Sequence, residues 1–300
     1  MKSLKIIFLF FTLFILANCS KEKSDGKNIV VTIYPFKAIV QEIVGSEITV
    51  DVLLPGGADP HTYEMSPSDY KKIQNAKVFF YGAETLDGWA AKLDVENKIE
   101  LLKLVPENLL LQIEMNGNHS VHLDENTSRH HYGVDPHFWT DPLTVNALLD
   151  SLTKVLSISF PEKKDLFRKN SEAFSKKLYE LDRKISDEIK SVKHNKVFSA
   201  HPFYNYFFKK YGIEVVGSLE ISPGQQVTPK FLKNISDEIK RKNVKAIFIN
   251  KQHISKPAKV LAESVVIKTV ELDPIGGSKS TETYEQIILQ NLKIIVNELK

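Results

Sequence analysis

The chain has 300 residues, 42% of them hydrophobic and 26% charged, with 13 Gly and 13 Pro; that is about two domains' worth of ordinary globular sequence. Disorder, collagen and a polytopic membrane protein are excluded. Forty Lys and Arg against 37 Asp and Glu leave a formal charge of +3 without a basic stripe, so the footprint of a nucleic-acid binder is missing, and the single cysteine allows no internal disulfide.

Residues 1–18 read as an export signal. Lys2 and Lys5 form its basic end, and Ile6 to Ala17 is a twelve-residue apolar run broken only by Thr12. Such a run is too short to span a bilayer. It ends in Leu16-Ala17-Asn18-Cys19, which resembles the bacterial lipobox, where the signal is cut before a cysteine that becomes lipid-modified. The alternative is a soluble secreted protein whose Cys19 is incidental. A lone cysteine at the end of the apolar run of an exported chain favours lipidation. Residues 19–28 then serve as a polar tether, and acyl chains hold the protein to a membrane surface without a spanning helix.

Beyond the tether, apolar strand-like runs alternate with helical patterns, the signature of parallel sheets covered by helices. The first half offers Ile29 to Tyr34, Ile48 to Leu54, Val78 to Tyr81 and a weaker candidate at Leu109 to Ile113; the second offers Val197 to Ala200, Glu214 to Gly217, Ala246 to Asn250 and Val266 to Leu272. Between them, Phe167, Phe174, Leu178, Leu181, Ile185, Ile189 and Val192 mark one face of a helix. It opens at Pro161 and meets no Gly or further Pro before Lys193-His194-Asn195, so about 31 residues would reach about 47 Å. Such a helix braces both lobes; the alternative is an ordinary lobe helix with a long solvated end. The expectation is an α/β protein of two (β/α)-type lobes, residues 29–160 and 194–300, with parallel sheets joined by one long rigid helix over residues 161–193.

The common enzyme signatures are missing: no Gly-x-Ser-x-Gly, no His-Glu-x-x-His, no Walker loop and no dinucleotide fingerprint after the first strand. Histidines at pointed places remain. His61 follows a strand through the turn-rich Pro55-Gly56-Gly57-Ala58-Asp59-Pro60; His137 sits in Asp135-Pro136-His137-Phe138-Trp139-Thr140-Asp141-Pro142; His201 comes directly off a strand; Asp273 ends another, before Pro274-Ile275-Gly276-Gly277. In open α/β sheets ligands bind beyond the carboxyl ends of strands. Three imidazoles and a carboxylate make a complete shell for a borderline divalent cation such as zinc, and a closed four-coordinate site binds metal without hydrolysing anything. Separations of 76, 64 and 72 residues are no local ligand signature. Each histidine has an alternative as a hydrogen-bonded structural residue, Asp273 as a turn former, and Asp59 and Asp135 as turn formers or as acceptors behind the histidines. His119, His122, His130 and His131 cluster in a polar stretch read as a loop, and His194 and His253, with no motif around them, read as surface residues. Trp89 and the aromatics from Phe203 to Phe208 read as core, and Trp139 as a shield over the site.

The segments Pro55 to Glu64, Asp135 to Pro142, Ala200 to Phe207 and Leu272-Asp273-Pro274 together resemble, in order, the motifs of the zinc/manganese solute-binding lipoproteins of ABC importers, the cluster A-I or family 9 metal-binding proteins. The likeness runs from about Ile29 to Lys300. It implies one divalent metal between two lobes, held by the residues matching His61, His137, His201 and Asp273, in a monomer that delivers its ion to a membrane permease. Histidine at the third position implies zinc, since imidazole suits zinc and oxygen donors suit manganese, which stays open as an alternative. Zinc-type members often carry a His-rich insertion. The histidine loop is a modest version, either a weak zinc collector or an exposed loop without a metal role. The remaining alternatives are a surface adhesin of the same fold and a zinc hydrolase with Asp273 as general base.

Overall fold

The computed structural model describes residues 28–113, 133–219, 228–253 and 255–300. The export signal, Cys19 with most of its tether, and His119, His122, His130 and His131 lie outside the described residues.

The short apolar runs become two four-stranded, all-parallel sheets. The first holds β1 (Ile29–Val31), β2 (Val50–Val52), β3 (Val78–Tyr81) and β4 (Lys98–Glu100) in the order β2-β1-β3-β4. The second holds β5 (Lys196–Ser199), β6 (Glu214–Ser218), β7 (Ala246–Asn250) and β8 (Lys268–Leu272) in the order β6-β5-β7-β8. Inner strands such as Val78-Phe79-Phe80-Tyr81 and Ala246-Ile247-Phe248-Ile249-Asn250 are buried along their whole length, as strands covered on both faces must be. In both sheets the order reverses at the same place, between β1 and β3 and between β5 and β7, and crevices open there beyond the carboxyl ends.

Seven of the eight expected strands are present, those at Val78–Tyr81 and Ala246–Asn250 to the residue and those at Ile29–Val31, Val50–Val52 and Lys268–Leu272 shortened; the candidate at Leu109 to Ile113 is not one. There, Glu107–Leu109 forms a 3-10 turn and Gln112 makes an isolated antiparallel bridge to Val134. The fourth strand of the first sheet is Lys98–Glu100, an edge element whose two charged residues hid it: Lys98 Nζ reaches the Ala91 carbonyl at 2.6 Å, and Glu100 accepts from Tyr81 Oη at 2.9 Å.

Helices α1 (Tyr34–Val44), α2 (Pro67–Asn75), α3 (Glu84–Ala91) and α4 (Pro142–Ser159) surround the first sheet. Asp141 starts α4 by accepting from Leu143 N at 2.9 Å, with Pro142 in the first turn, and so fixes the backbone four residues after His137. The long helix α5 (Lys164–Ile189) has 26 residues, about 39 Å, preceded by a 3-10 turn at Pro161–Lys163. It is shorter than expected because its start tightens and its end unwinds at Lys190. The predicted face is the buried one: Phe167, Phe174, Leu178, Leu181 and Ile185. Asn170 donates to the Ile43 carbonyl at 3.0 Å on one side, and Asp182 accepts from Tyr211 Oη at 3.0 Å on the other, so the helix does brace both halves.

The second sheet carries α6 (Asn205–Lys210), α7 (Pro229–Lys242), α8 (Lys256–Val265) and α9 (Tyr284–Leu299). Helix α9 reaches back to the first half: Tyr284 donates to the Trp139 carbonyl at 2.7 Å and packs edge-on against Phe174, centroids 6.2 Å apart. One apolar core therefore runs without interruption from Val31 and Phe36 through Phe174 to Phe248 and Leu292.

Candidate metal centre

Three of the four predicted ligands converge. His61, His137 and His201 each present a nitrogen, and these nitrogens all lie within 4.8 Å of one another; among the described residues this is the group able to hold a metal ion. The ring centroids are 5.0 to 5.6 Å apart. His137 and His201 are 3% exposed and His61 is half-buried.

Each imidazole is aimed by what lies behind it. Asp135, fully buried, accepts from both His137 N at 2.9 Å and His137 Nδ1 at 2.8 Å. An ionised carboxylate has no proton to give, so Nδ1 carries the hydrogen and Nε2 offers its lone pair to the site. Asp135 is thus an acceptor behind the histidine. Its own backbone is pinned from the second half, where Tyr206 Oη donates to the Asp135 carbonyl at 2.9 Å.

His61 repeats the Asp-Pro-His sequence with a different outcome. Asp59 Oδ1 accepts from His61 N at 3.0 Å, but the ring turns to the Thr85 carbonyl, 3.1 Å from Nδ1. A carbonyl only accepts, so Nδ1 is again the protonated nitrogen, and His61 Nε2 is buried without a hydrogen-bond partner. A metal satisfies such an atom. Burial, and then the neighbouring His137, push the His61 ring down to about 4, so it is neutral and ready to ligate at neutral pH. The Thr85 carbonyl is placed by Asp87, wholly buried, whose carboxylate takes hydrogens from Thr32 Oγ1, Gly82 N and Ala83 N and shapes the turn after β3. Burial raises the Asp87 carboxyl to about 6 against the pull of those bonds.

His201 follows β5 directly, at the crevice of the second sheet, with its carbonyl accepting from Ser199 Oγ at 2.5 Å. Trp139 closes the site from the inside: it is 1% exposed, its centroid lies 5.3 Å from that of His137, and its Nε1 donates to the Pro274 carbonyl at 2.9 Å. Trp89 sits at the surface edge instead, half-buried, and donates to the Pro60 carbonyl at 3.2 Å. The aromatics from Phe203 to Phe208 are core, as expected.

Asp273 is not among the converging group. Its Oδ1 accepts from Gln252 Nε2 at 2.7 Å, Gly276 N at 2.9 Å and Ile275 N at 3.3 Å, and Lys251 Nζ is 3.3 Å from Oδ2. In this conformation it acts as the turn former that its Pro-Ile-Gly-Gly context also allowed. His253 departs from expectation. It is no plain surface residue: its side chain is 21% exposed, its ring lies 6.4 Å from that of His201, and its Nδ1 is 3.2 Å from Asp59 Oδ2. Burial alone would raise the Asp59 carboxyl, but the bonds from His253 and from His61 N outweigh it and hold the group below the usual carboxylate range. No motif surrounds His253; its place just past β7, at the carboxyl edge, was the available signal. His194 is exposed, as expected.

Residues 29–298 match the model of the family described as zinc-uptake complex component A, periplasmic. The chain belongs to this family. It is 29% identical over 307 residues to the zinc-binding lipoprotein AdcA of Streptococcus pneumoniae, covering 98% of this chain and 60% of AdcA, so it spans less than two thirds of that relative's length. It is 27% identical over 293 residues to the high-affinity zinc uptake system protein ZnuA of Bacillus subtilis, covering 92% of this chain and 89% of that protein. Among solved structures, a Zn(II)-bound mutant variant of AdcAII of Streptococcus pneumoniae superimposes with a TM-score of 0.77 at 29% identity, covering 92% of this chain and 99% of that one.

Proposed function

We propose that the protein captures zinc outside the cytoplasm on His61, His137 and His201 and delivers it to the permease of an ABC importer, with no reaction catalysed. The observation that carries this reading is the convergence of three imidazole nitrogens within 4.8 Å from three remote segments. Zinc bonds of about 2.0 to 2.1 Å need donors about 3.4 Å apart, a small contraction of the group. Three imidazole nitrogens suit zinc over manganese. Asp273 is the fourth donor of this reading, released from Gln252 and Lys251 when the site loads; its neighbour Pro274 is already tied through Trp139 to His137. With Asp273 as the fourth ligand the shell is closed, which argues against a hydrolase, since a catalytic zinc keeps an open position for water.

The family description and the relatives named as zinc-binding and zinc-uptake proteins support transport. The lipobox-like Leu16-Ala17-Asn18-Cys19 supports a lipid anchor at Cys19, a feature that also appears in the name of the pneumococcal AdcA.

The test is His201→Ala. Zinc titration of the wild-type chain yields one tight site and a rise in melting temperature; the variant loses both. Survival of a single tight site in His201→Ala overturns the assignment.

A further inference from the structure

The geometry points to Asp59 and His253 as a latch across the mouth of this centre, a positioning pair that sets how fast the bound ion leaves. The inference rests on the reading of His61, His137 and His201 as the zinc site. It concerns two residues outside that set, which come from segments 194 positions apart in the chain.

The carboxylate of Asp59 has two oxygens with two duties. Oδ1 holds the backbone N–H of His61 at 3.0 Å, while Oδ2 takes the Nδ1 hydrogen of His253 at 3.2 Å. Whatever happens to His253 is therefore transmitted through one side chain to the peptide that carries His61. His253 itself stands beside His201, ring centroids 6.4 Å apart, on the loop after β7. The pair thus ties the one ligand loop of the first sheet that lies between β2 and α2 to the ligand-bearing edge of the second sheet.

For the ion to leave, one imidazole must withdraw. His137 is 3% exposed, locked by Asp135 and packed on Trp139; His201 is 3% exposed and continues a buried strand. His61 is half-buried on a segment of turns, with Gly57 at φ +86°, and its own half holds it by the Thr85 carbonyl and, through the Pro60 carbonyl, by Trp89. It is the ligand with the least to break. Moving it toward solvent carries Asp59 along and parts Asp59 from His253, so this bond must be given up on the way out. Contacts of this kind act mainly on dissociation rates, so capture is less affected.

The expected result is a dissociation rate raised about three- to tenfold when the bond is removed, the range for one partly buried hydrogen bond, with an association rate within about twofold of wild type. The full chain is loaded with zinc and mixed with an excess of a chromophoric chelator, and release is followed by stopped flow. His253→Ala and His253→Leu, the second of which keeps the volume without a donor, both release faster. His253→Asn, whose amide N–H takes the place of Nδ1–H, restores the wild-type rate. Melting temperatures measured with chelator present stay within about 2 °C of wild type, since one rim bond is worth about one such step. Unchanged release in both Ala and Leu variants overturns the latch. So does equally fast release in the Asn variant, which would assign the effect to ring packing on His201. Equal slowing of capture and no change in release would also overturn it. Failure of wild-type protein to bind zinc at one tight site refutes the metal-site reading itself and is scored before any variant.

Discussion

Asp135→Asn tests whether the site is built from behind as the geometry indicates. The substitution keeps shape and leaves an oxygen that can still accept from His137 Nδ1, now 2.8 Å from Asp135 Oδ1. What it removes is the charge. A hydrogen bond to an ionised group contributes about 1.5 to 3 kcal/mol against about 0.5 to 1.5 for a neutral pair, so the imidazole loses about 1 to 1.5 kcal/mol of support. That support grows when a cation sits on Nε2 and draws positive character onto the ring, so most of the loss falls on the metal-bound state. Zinc affinity should drop about 5- to 13-fold, near the lower end of the usual 10- to 100-fold cost of removing such a carboxylate partner. By linkage, each tenfold lowers the zinc-dependent stabilisation by about 1.4 kcal/mol, or about 3 to 5 °C of the zinc-induced rise in melting temperature.

The metal-free protein suffers separately. Asp135 is surrounded by protein on every side, and its Oδ2 is buried without a hydrogen-bond partner, so the new amide puts an N–H₂ where no acceptor waits, at about 1 to 3 kcal/mol. Two readouts therefore come apart: the melting temperature in chelator reports the buried amide, and the zinc-induced increment reports the ligand. Competition against a chelator of known affinity fixes the second independently. An unchanged zinc affinity in Asp135→Asn, whatever its effect on the metal-free melting temperature, refutes the claim that Asp135 supports a ligating His137.

Three further outcomes follow from the structure. The His61 ring is held at about 4 by burial and by His137, whereas the unfolded chain takes up that proton near 6.5, so metal-free protein loses stability as pH falls from about 6.5 toward 4; melting temperatures with chelator at about pH 7.5 and 5 should show a shallower loss in His61→Gln, and equal slopes refute the assignment. Deleting residues 116–132, which contain His119, His122, His130 and His131, should leave the tight site intact and lower only the number of weakly bound zinc ions per chain, read by elemental analysis after dialysis; loss of tight binding would place a primary ligand in that segment. Gly276→Ala forces a side chain into φ +67° with its Cβ 2.5 Å from Ile287 Cγ1, so it should cost about 2 kcal/mol or more and lower the metal-free melting temperature by several degrees; a change under about 1 °C would show that the Asp273 turn relaxes freely.

The fold was legible where burial on both faces forces an apolar run, as in Val78 to Tyr81 and Ala246 to Asn250, which the sequence delimits to the residue. It was illegible at Lys98–Glu100, because an edge strand is specified by its neighbour Phe79-Phe80-Tyr81 and not by its own hydropathy. The three histidines could be read because strand ends and Asp-Pro-His turns bring ligands to a sheet's carboxyl edge. The rest of the site is made of partners that carry no local pattern. The Thr85 carbonyl is a backbone atom, and His253 acquires its role from an aspartate 194 residues away. Asp273 had the right neighbours for a ligand and for a turn, and hydropathy cannot choose between two uses of one carboxylate. The contacts from Gln252 and Lys251 show which use prevails in this conformation.

Those partners also decide what kind of motion can free the ion. Rotating one sheet against the other would have to part α5 and α9 from one side of the shared core. Phe167, Phe174, Leu178, Leu181 and Ile185 on α5 are each at most 3% exposed, and burying one such side chain contributes about 1.5 to 3 kcal/mol. Exposing even three of them costs more than a single bound ion returns through the loss of one rim contact. Withdrawing His61 costs far less, because it gives up hydrogen bonds at the edge and leaves the core closed. Release from the proposed site is therefore expected to be a local event at the loop between β2 and α2. Metal-loaded and metal-free crystals should then differ in residues 55–65 and in the Asp273 side chain, with the two sheets superimposing; a wide rotation of one sheet would mean that the buried face of α5 does not hold the halves together.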